Sequence, residues 1–285
     1  MLTSSYSFLY SLSRQVLSER EWARIEKHFR VSYKKGGRPP KYSKKEILEA
    51  IFYVLRTGCQ WRYLPNDFPL WKTVYEQFRQ WKKQGIFEKM NYEITKYSRR
   101  KIGRNEQPSA CIVDSQSVKT TEKGGSKAMM EGKKVKGRKR HIITDTQGFI
   151  LGCYVGAANE NDRDGIKIAL NNMRTKYTKV KKMWADMGYQ GRNLKNHIKE
   201  EYDIDIEIVK RPPCRFWVHK DTPPELLPTR EQGFKVQPRR WVVERTFAWV
   251  NRNRRLSKEY DLLTTSTENF IYLAMSRVML KREYA

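Results

Sequence analysis

Three carboxylates stand where this chain could do chemistry. Asp114 follows the apolar run ACIV, Asp186 follows VKKMWA 72 residues later, and Glu244 lies 58 residues further on within RRWVVERTFAWVNRNRRL. Taken singly, each has an ordinary reading. An Asp after a strand commonly caps a turn or helix, and a helix Glu is commonly a solvated partner for Arg. Together they form a set of hard oxygen donors suited to Mg2+, which takes one or two carboxylates and fills its shell with water and phosphate oxygen. Two such ions, with Mn2+ as the substitute, would activate a water or a 3′-hydroxyl and stabilise the leaving oxygen in an in-line attack on a phosphodiester.

The elements that must position these groups follow from the hydrophobic pattern. ACIVDSQSVK reads as a short strand ending in Asp114, and RHIITDTQGFILGCYVGAA as two strands joined by a turn at 145–148. DRDGIKIALNNMRTKY reads as a helix, VKKMWADMGYQG as a strand, RNLKNHIKEEY as a helix and IDIEIVKR as a strand. A stretch rich in Pro, Trp and charge at about 211–238 precedes the helix of Glu244. Three strands, then helix–strand–helix–strand and a closing helix, predict an α/β domain: a mixed sheet flanked by helices, ribonuclease-H-like. In such a sheet the carboxyl ends of the strands line the ligand crevice, and the strands carrying Asp114 and Asp186 are expected to be neighbours. On the last helix Val243, Phe247 and Val250 form an apolar stripe. Glu244 lies at its edge with Arg240, Asn251 and Arg255, aimed into the crevice.

Residues 1–106 are expected to form a separate all-α DNA-binding domain, and 107–285 the catalytic domain with a short insertion at about 211–238. LSEREWARIEKHF has helical spacing, Ser43 and Glu46 form the S-x-x-E pattern of a capping box, and KKEILEAIFYVLRT stops at Gly58. LWKTVYEQFRQWKK stops at Gly85, and SRRKIGRNEQPS at 98–109 reads as a polar connector. Helix, turn and helix in a basic setting resemble a helix-turn-helix, although a plain bundle explains the pattern equally. In GGRPPK, Arg38 and Lys41 could form a minor-groove hook held extended by proline. The opening MLTSSYSFLYSLSR lacks a basic stretch ahead of its apolar residues and is expected to be a tail rather than an export signal.

Charge points to the partner. The 285 residues carry 58 Lys+Arg against 31 Asp+Glu, a net +27, while 39% hydrophobic and 12% aromatic content implies a packed core rather than a disordered polyelectrolyte. Such an excess repels itself in a compact fold and suits a polyanion, with nucleic acid first. It is shared almost evenly, +13 in residues 1–106 and +14 in the rest. Six of the eight residues in KKVKGRKR are basic. Read as a loop, it makes Lys133, Lys134, Lys136, Arg138, Lys139 and Arg140 a clamp on backbone phosphates. His141 is expected to be a core or orienting histidine, and Asp162 and Asp164 helix caps. Trp217 and Trp241 are read as stacking or packing aromatics. The four cysteines form no CxxC pair and no zinc pattern, and no apolar run is long enough to span a membrane. A cytoplasmic protein without a membrane partner is expected.

The motifs IVDSQSVK, KGRKRHIITDTQG, ADMGYQG and RRWVVERTFAWVNRNRRLSKEYD, in this order, resemble the transposases of bacterial insertion sequences, and more closely the insertion sequence 5 family of the DDE superfamily. LSEREWARIE, GGRPPKY and ILEAIFYVLRTGCQWRYLP are similar to that family's N-terminal domain, so the resemblance covers nearly the whole chain. It implies Asp114, Asp186 and Glu244 as the catalytic, metal-holding triad. It implies double-stranded DNA as partner, both the element's terminal inverted repeats and the target. Cleavage at the ends, joining of the 3′-hydroxyls, a homodimer in the DNA complex and a place at the bacterial nucleoid belong to the same expectation. The related insertion sequence 4 group has a Tyr-x2-Arg-x3-Glu-x6-Lys signature. Arg240 and Glu244 match it, but Gln237 and Asn251 stand at its Tyr and Lys positions. That group's hairpin-forming cleavage is therefore not implied, and Arg252, Arg254 and Arg255 are expected to meet phosphate instead. The alternative is a DNA-binding regulator or domesticated remnant that has kept the fold without the chemistry; the presence of all three carboxylates argues against it. A stand-alone nuclease on the same core leaves the N-terminal module unexplained.

Overall fold

The computed structural model describes residues 17–30, 40–121, 128–130, 135–209, 223 and 240–283, with backbone alone at 128–130, 135, 136 and 240. The opening tail, the segment with Arg38, Lys133, Lys134, and most of 211–238 with Trp217 lie outside them. No helix among the described residues is long and apolar enough to cross a membrane.

The first part is helical. It comprises α1 (Glu19–Ile25) with a 3-10 turn to Phe29, α2 (Lys44–Thr57), α3 (Trp71–Lys83) and α4 (Ile86–Lys101). The capping box before α2 forms as its sequence predicts. The Ser43 hydroxyl accepts from the Glu46 amide at 3.1 Å, and the Ser43 amide donates to the Glu46 carboxylate at 2.7 Å. A second box, Ser18 with Glu21, opens α1. Gly58 ends α2 at φ 71, a left-handed conformation that favours glycine.

α4 runs through the first residues of the expected polar connector. Its Arg99 is buried, ion-paired with Asp145, and donates from Nε to the Asn105 carbonyl at 2.7 Å. Ser98 donates to Glu283 at 3.0 Å. These polar residues are helical because their partners lie elsewhere in the chain.

The sheet contains β1 (Ala110–Lys119), β2 (Ala128–Met130), β3 (Val135–Asp145), β4 (Ile150–Ala157), β5 (Lys182–Ala185) and β6 (Asp205–Ile208). β3 pairs antiparallel with β1 on one edge and with both β4 and β2 on the other; β1, β5 and β6 run parallel. Apart from the short β2, the order β4-β3-β1-β5-β6 is that of a ribonuclease-H-like mixed sheet. The expected turn at Asp145–Gly148 joins β3 to β4. One expectation is corrected here: from Val135 onward KKVKGRKR is strand β3 rather than a loop.

α5 (Asp162–Arg174) connects β4 to β5, and α6 (Arg192–Tyr202) connects β5 to β6. With Cys111, Val113, Ile143 and Leu151, their apolar faces fill one side of the sheet. The other side is covered by α7 (Arg240–Asn251), α8 (Thr264–Glu283) and the N-terminal helices, in one continuous core with Ile112, Ile142, Ile150 and Trp184. Residues 270–275 of α8 are all buried. A helix apolar all round must be enclosed on every side, so α8 joins the N-terminal helices to the sheet.

Candidate active site

β1 and β5 set the site. Their parallel pairing aligns Ala110 with Lys182, Cys111 with Met183 and Ile112 with Trp184. Continuing this register two residues brings Asp114 level with Asp186. Asp186 retains an extended backbone (φ −80, ψ −178). By the two-residue period of a strand, Asp114 therefore shares the face of Ile112, and Asp186 that of Trp184. Ile112 and Trp184 belong to the same core as α7, so both acids face the α7 side, each half-buried.

Local amides already engage these carboxylates. Asp114 accepts from the Ser115 amide at 2.7 Å, and Asp186 caps the 3-10 turn Met187–Tyr189 by accepting from the Gly188 amide at 2.9 Å. Asp162 is a third acid nearby, and its role differs from the expected one. Asn161 caps α5, its side chain accepting from the Arg163 amide at 3.1 Å. Asp162 instead accepts the Ser115 hydroxyl at 2.7 Å and faces Lys139 Nζ at 3.2 Å. A Cβ on Gly188 would stand 3.1 Å from an oxygen of both Asp162 and Asp186, so glycine leaves room for the two acids to approach. Burial, then the charges of Asp162, Asp114 and Asp186, push the Tyr189 phenol well above its usual range. The position of Asp162 depends on how α5 packs against β1, which local sequence does not encode.

Glu244 is exposed on α7. Seven residues later, on the same helix face, Asn251 donates to Gln116 of β1 at 3.3 Å. Glu244 is thus on the side of the sheet to which Asp114 and Asp186 point. Among the described residues, however, no three His, Cys, Asp or Glu side chains are grouped closely enough to hold a metal ion. The donors themselves fit a hard divalent cation, being carboxylate oxygens; Asp114 lies within β1, which runs on to Lys119, rather than at its expected end.

The basic residues divide. Arg138, Lys139 and Arg140 do not form the expected phosphate clamp because they are buried in β3. Arg140 Nε donates to Glu259 at 2.6 Å, and Arg138 lies 3.7 Å from the same carboxylate and donates to the carbonyls of Asp261 and Leu262. Lys139 donates to the Glu160 carbonyl at 2.6 Å. The expected phosphate contact at Arg255 is corrected likewise, since that side chain is buried and paired with Asp261 at 2.8 Å. Lys41, Arg252 and Arg254 are exposed; Lys136 lies in β3 and Arg240 opens α7. His141 is a core histidine, fully buried against Tyr154, with its imidazole pushed down to about 4 chiefly by burial. Cys111 and Cys153 are buried thiols.

A ribonuclease-H-like sheet with acids at the level shared by β1 and β5 defines the broad structural class. Residues 105–279 match the family model of the transposase DDE domain, and residues 17–91 match that of a putative transposase of the IS4/5 family. The chain belongs to the DDE transposases of the insertion sequence 4/5 type. It is similar to a putative transposase for insertion sequence element IS402 from Burkholderia cepacia, 27% identical over 132 residues, covering 44% of this chain and 54% of that protein. It is also similar to the uncharacterized protein y4sN of Sinorhizobium fredii, 28% identical over 74 residues, covering 26% and 58%. The chain thus spans a little over half the length of these curated relatives. Among solved structures, the Mos1 mariner paired end complex with Mn aligns over 71% of each chain at 12% identity with a TM-score of 0.24. A pre-cleavage Mos1 transpososome aligns over 66% of each at 13% identity with a TM-score of 0.22.

Proposed function

We propose that this protein binds the terminal inverted repeats of its insertion sequence, cleaves the DNA at those ends and joins the freed 3′-hydroxyls to target DNA. The observation that carries the reading is the level placement of Asp114 and Asp186 on adjacent parallel strands, facing the helix that bears Glu244, in a chain of this family. Asp114, Asp186 and Glu244 would hold Mg2+, or Mn2+ in its place. The bound metal supplies charge stabilisation at the phosphate and a more acidic attacking hydroxyl.

The chain's own residues prepare the site. The Ser115 and Gly188 amides orient Asp114 and Asp186, while Ser115 and Lys139 hold Asp162 beside them. A net charge of +27 draws the phosphate backbone toward an acidic crevice that would otherwise repel it. Residues 1–106 are assigned to recognition of the terminal repeats, with exposed Lys41 and the segment containing Arg38 as contacts. Acting on two ends at once calls for two copies of the chain, arranged as a homodimer in the DNA complex. The test is end cleavage with Mg2+ on DNA carrying the gene's own flanks. Nicks at the repeat boundaries support the reading; binding without cleavage in Mg2+ or Mn2+ refutes it in favour of a regulator.

A further inference from the structure

Between the C-terminal end of α7, α8 and Arg56 of α2 lies a groove of about 420 Å3 that the carboxylate site does not use. Five of its nine lining residues are Arg56, Arg252, Arg277, Lys281 and Arg282, and no carboxylate lines it among the described residues. Glu21 touches its margin, pairing with Lys281 at 2.9 Å. A protein surface normally disperses like charges or intersperses acids among them. Here the cations stand close enough to disfavour one another's charged form. Arg277 is shifted down by burial and then by Arg56, and Arg282 by burial and then by Arg252. The buried Nε of Arg277 has no hydrogen-bond partner among the described residues.

The groove is also stiffened along one wall. The Arg245 guanidinium lies 4.4 Å from the Trp241 ring centroid and 4.6 Å from that of Trp249, and Arg282 lies 4.0 Å over Trp249. Of this Trp–Arg–Trp–Arg ladder Trp249 and Arg282 line the groove; the stacking holds the Arg282 plane, which would otherwise sample many rotamers, so less entropy is lost when it meets an anion. Its position relates it to the acidic site. Glu244, Ala248 and Arg252 form an exposed row along α7, and the Arg252 amide continues the helix by donating to Ala248 at 3.2 Å. Eight residues at 1.5 Å rise separate Glu244 from Arg252 by about 12 Å along the axis. That is the span of a few nucleotides of a DNA strand at about 3.4 Å each.

We propose that this groove seats the phosphate backbone of DNA flanking the carboxylate site, with Arg252, Arg277 and Arg282 as its phosphate contacts. Which DNA it holds rests on the transposase reading; that it holds a nucleic acid backbone rests on the groove alone. The contacts are to phosphate, so they add affinity and register without reading sequence.

The test is fluorescence anisotropy with a labelled random-sequence duplex over a range of salt, comparing wild type with the triple variant R252A/R277A/R282A. Each phosphate contact removed lowers the slope of log affinity against log salt by about 0.9, so the triple variant is expected to lose roughly 2–3 units of slope. The lysine variant R252K/R277K/R282K is expected to keep most of it. Should the triple variant fail to fold by circular dichroism, R252A/R282A changes only exposed side chains and is expected to lose about 2 units. A wild-type slope in a folded alanine variant overturns the proposal. So does a loss of binding to phosphatidylserine vesicles while duplex affinity is kept, which would assign the groove to membrane. A random duplex probes the groove whether or not wild type cleaves DNA, so its failure is distinguishable from that of the transposase reading.

Discussion

Asp114 and Asp186 lie level on neighbouring parallel strands, each two residues past the paired Ile112 and Trp184 and each facing the α7 side. Parallel strands are about 4.8 Å apart, so this register makes the Asp114 and Asp186 backbone positions neighbours. The Ser115 amide donates to Asp114 and the Gly188 amide to Asp186.

Glu259 is the internal counter-charge of β3. It is fully buried, faces Arg138 and Arg140, and accepts the Thr267 hydroxyl at 2.6 Å. Glu259→Gln leaves two buried guanidiniums without their carboxylate. Denaturant unfolding is expected to show a loss of about 3–5 kcal/mol. A loss below about 1 kcal/mol would mean that backbone carbonyls alone satisfy the pair.

His141 makes stability depend on pH. Its folded-state pKa is pushed down to about 4 by burial, which Asp162 opposes and Lys139 reinforces, whereas the unfolded chain protonates near 6.5. Above about 6.5 both states carry a neutral ring, so the contribution is fully present. As pH falls toward about 4 the unfolded state binds the proton first, and stability declines by at most about 3 kcal/mol. Urea midpoints measured across this window should fall more steeply in wild type than in His141→Gln. Parallel curves would remove His141 as the cause.

Gly165 lets α5 approach that ring. A Cβ there would stand 2.2 Å from His141 Nε2, so Gly165→Ala is expected to cost about 1–3 kcal/mol through overpacking despite alanine's better helix propensity. Adding His141→Ala should recover part of the loss in a double-mutant cycle. Additive losses would show that the clash lies elsewhere.

What local sequence encodes and what it does not can be seen at particular residues. The Ser43 capping box, the stop at Gly58 and the turn at 145–148 depend on neighbours within a few positions, and each is legible. Asp186 is legible as a strand-end acid because the run before it is apolar, whereas Asp114, expected at the end of its strand, lies inside β1, which continues to Lys119 through pairing with β3. The helical state of Ser98–Lys101 and the burial of Arg138 and Arg140 are not legible. Their composition is that of a solvated connector or loop, while the partners that bury them are Glu283, Asp145 and Glu259, distant in sequence. Asp162 is visible only as a first-turn acid until α5 is docked on β1.

The central claim is tested most directly by Mg2+-dependent cleavage of DNA carrying the gene's own flanks, comparing wild type with Asp186→Asn and Glu244→Gln. The account predicts discrete nicks at the repeat boundaries for wild type. Each variant should bind that DNA within a few-fold of wild type while cleavage falls by at least about a thousandfold, about 4 kcal/mol in the barrier. Cleavage by either variant at the wild-type rate would contradict that residue's role, and binding without cleavage by wild type would contradict the active-enzyme reading itself.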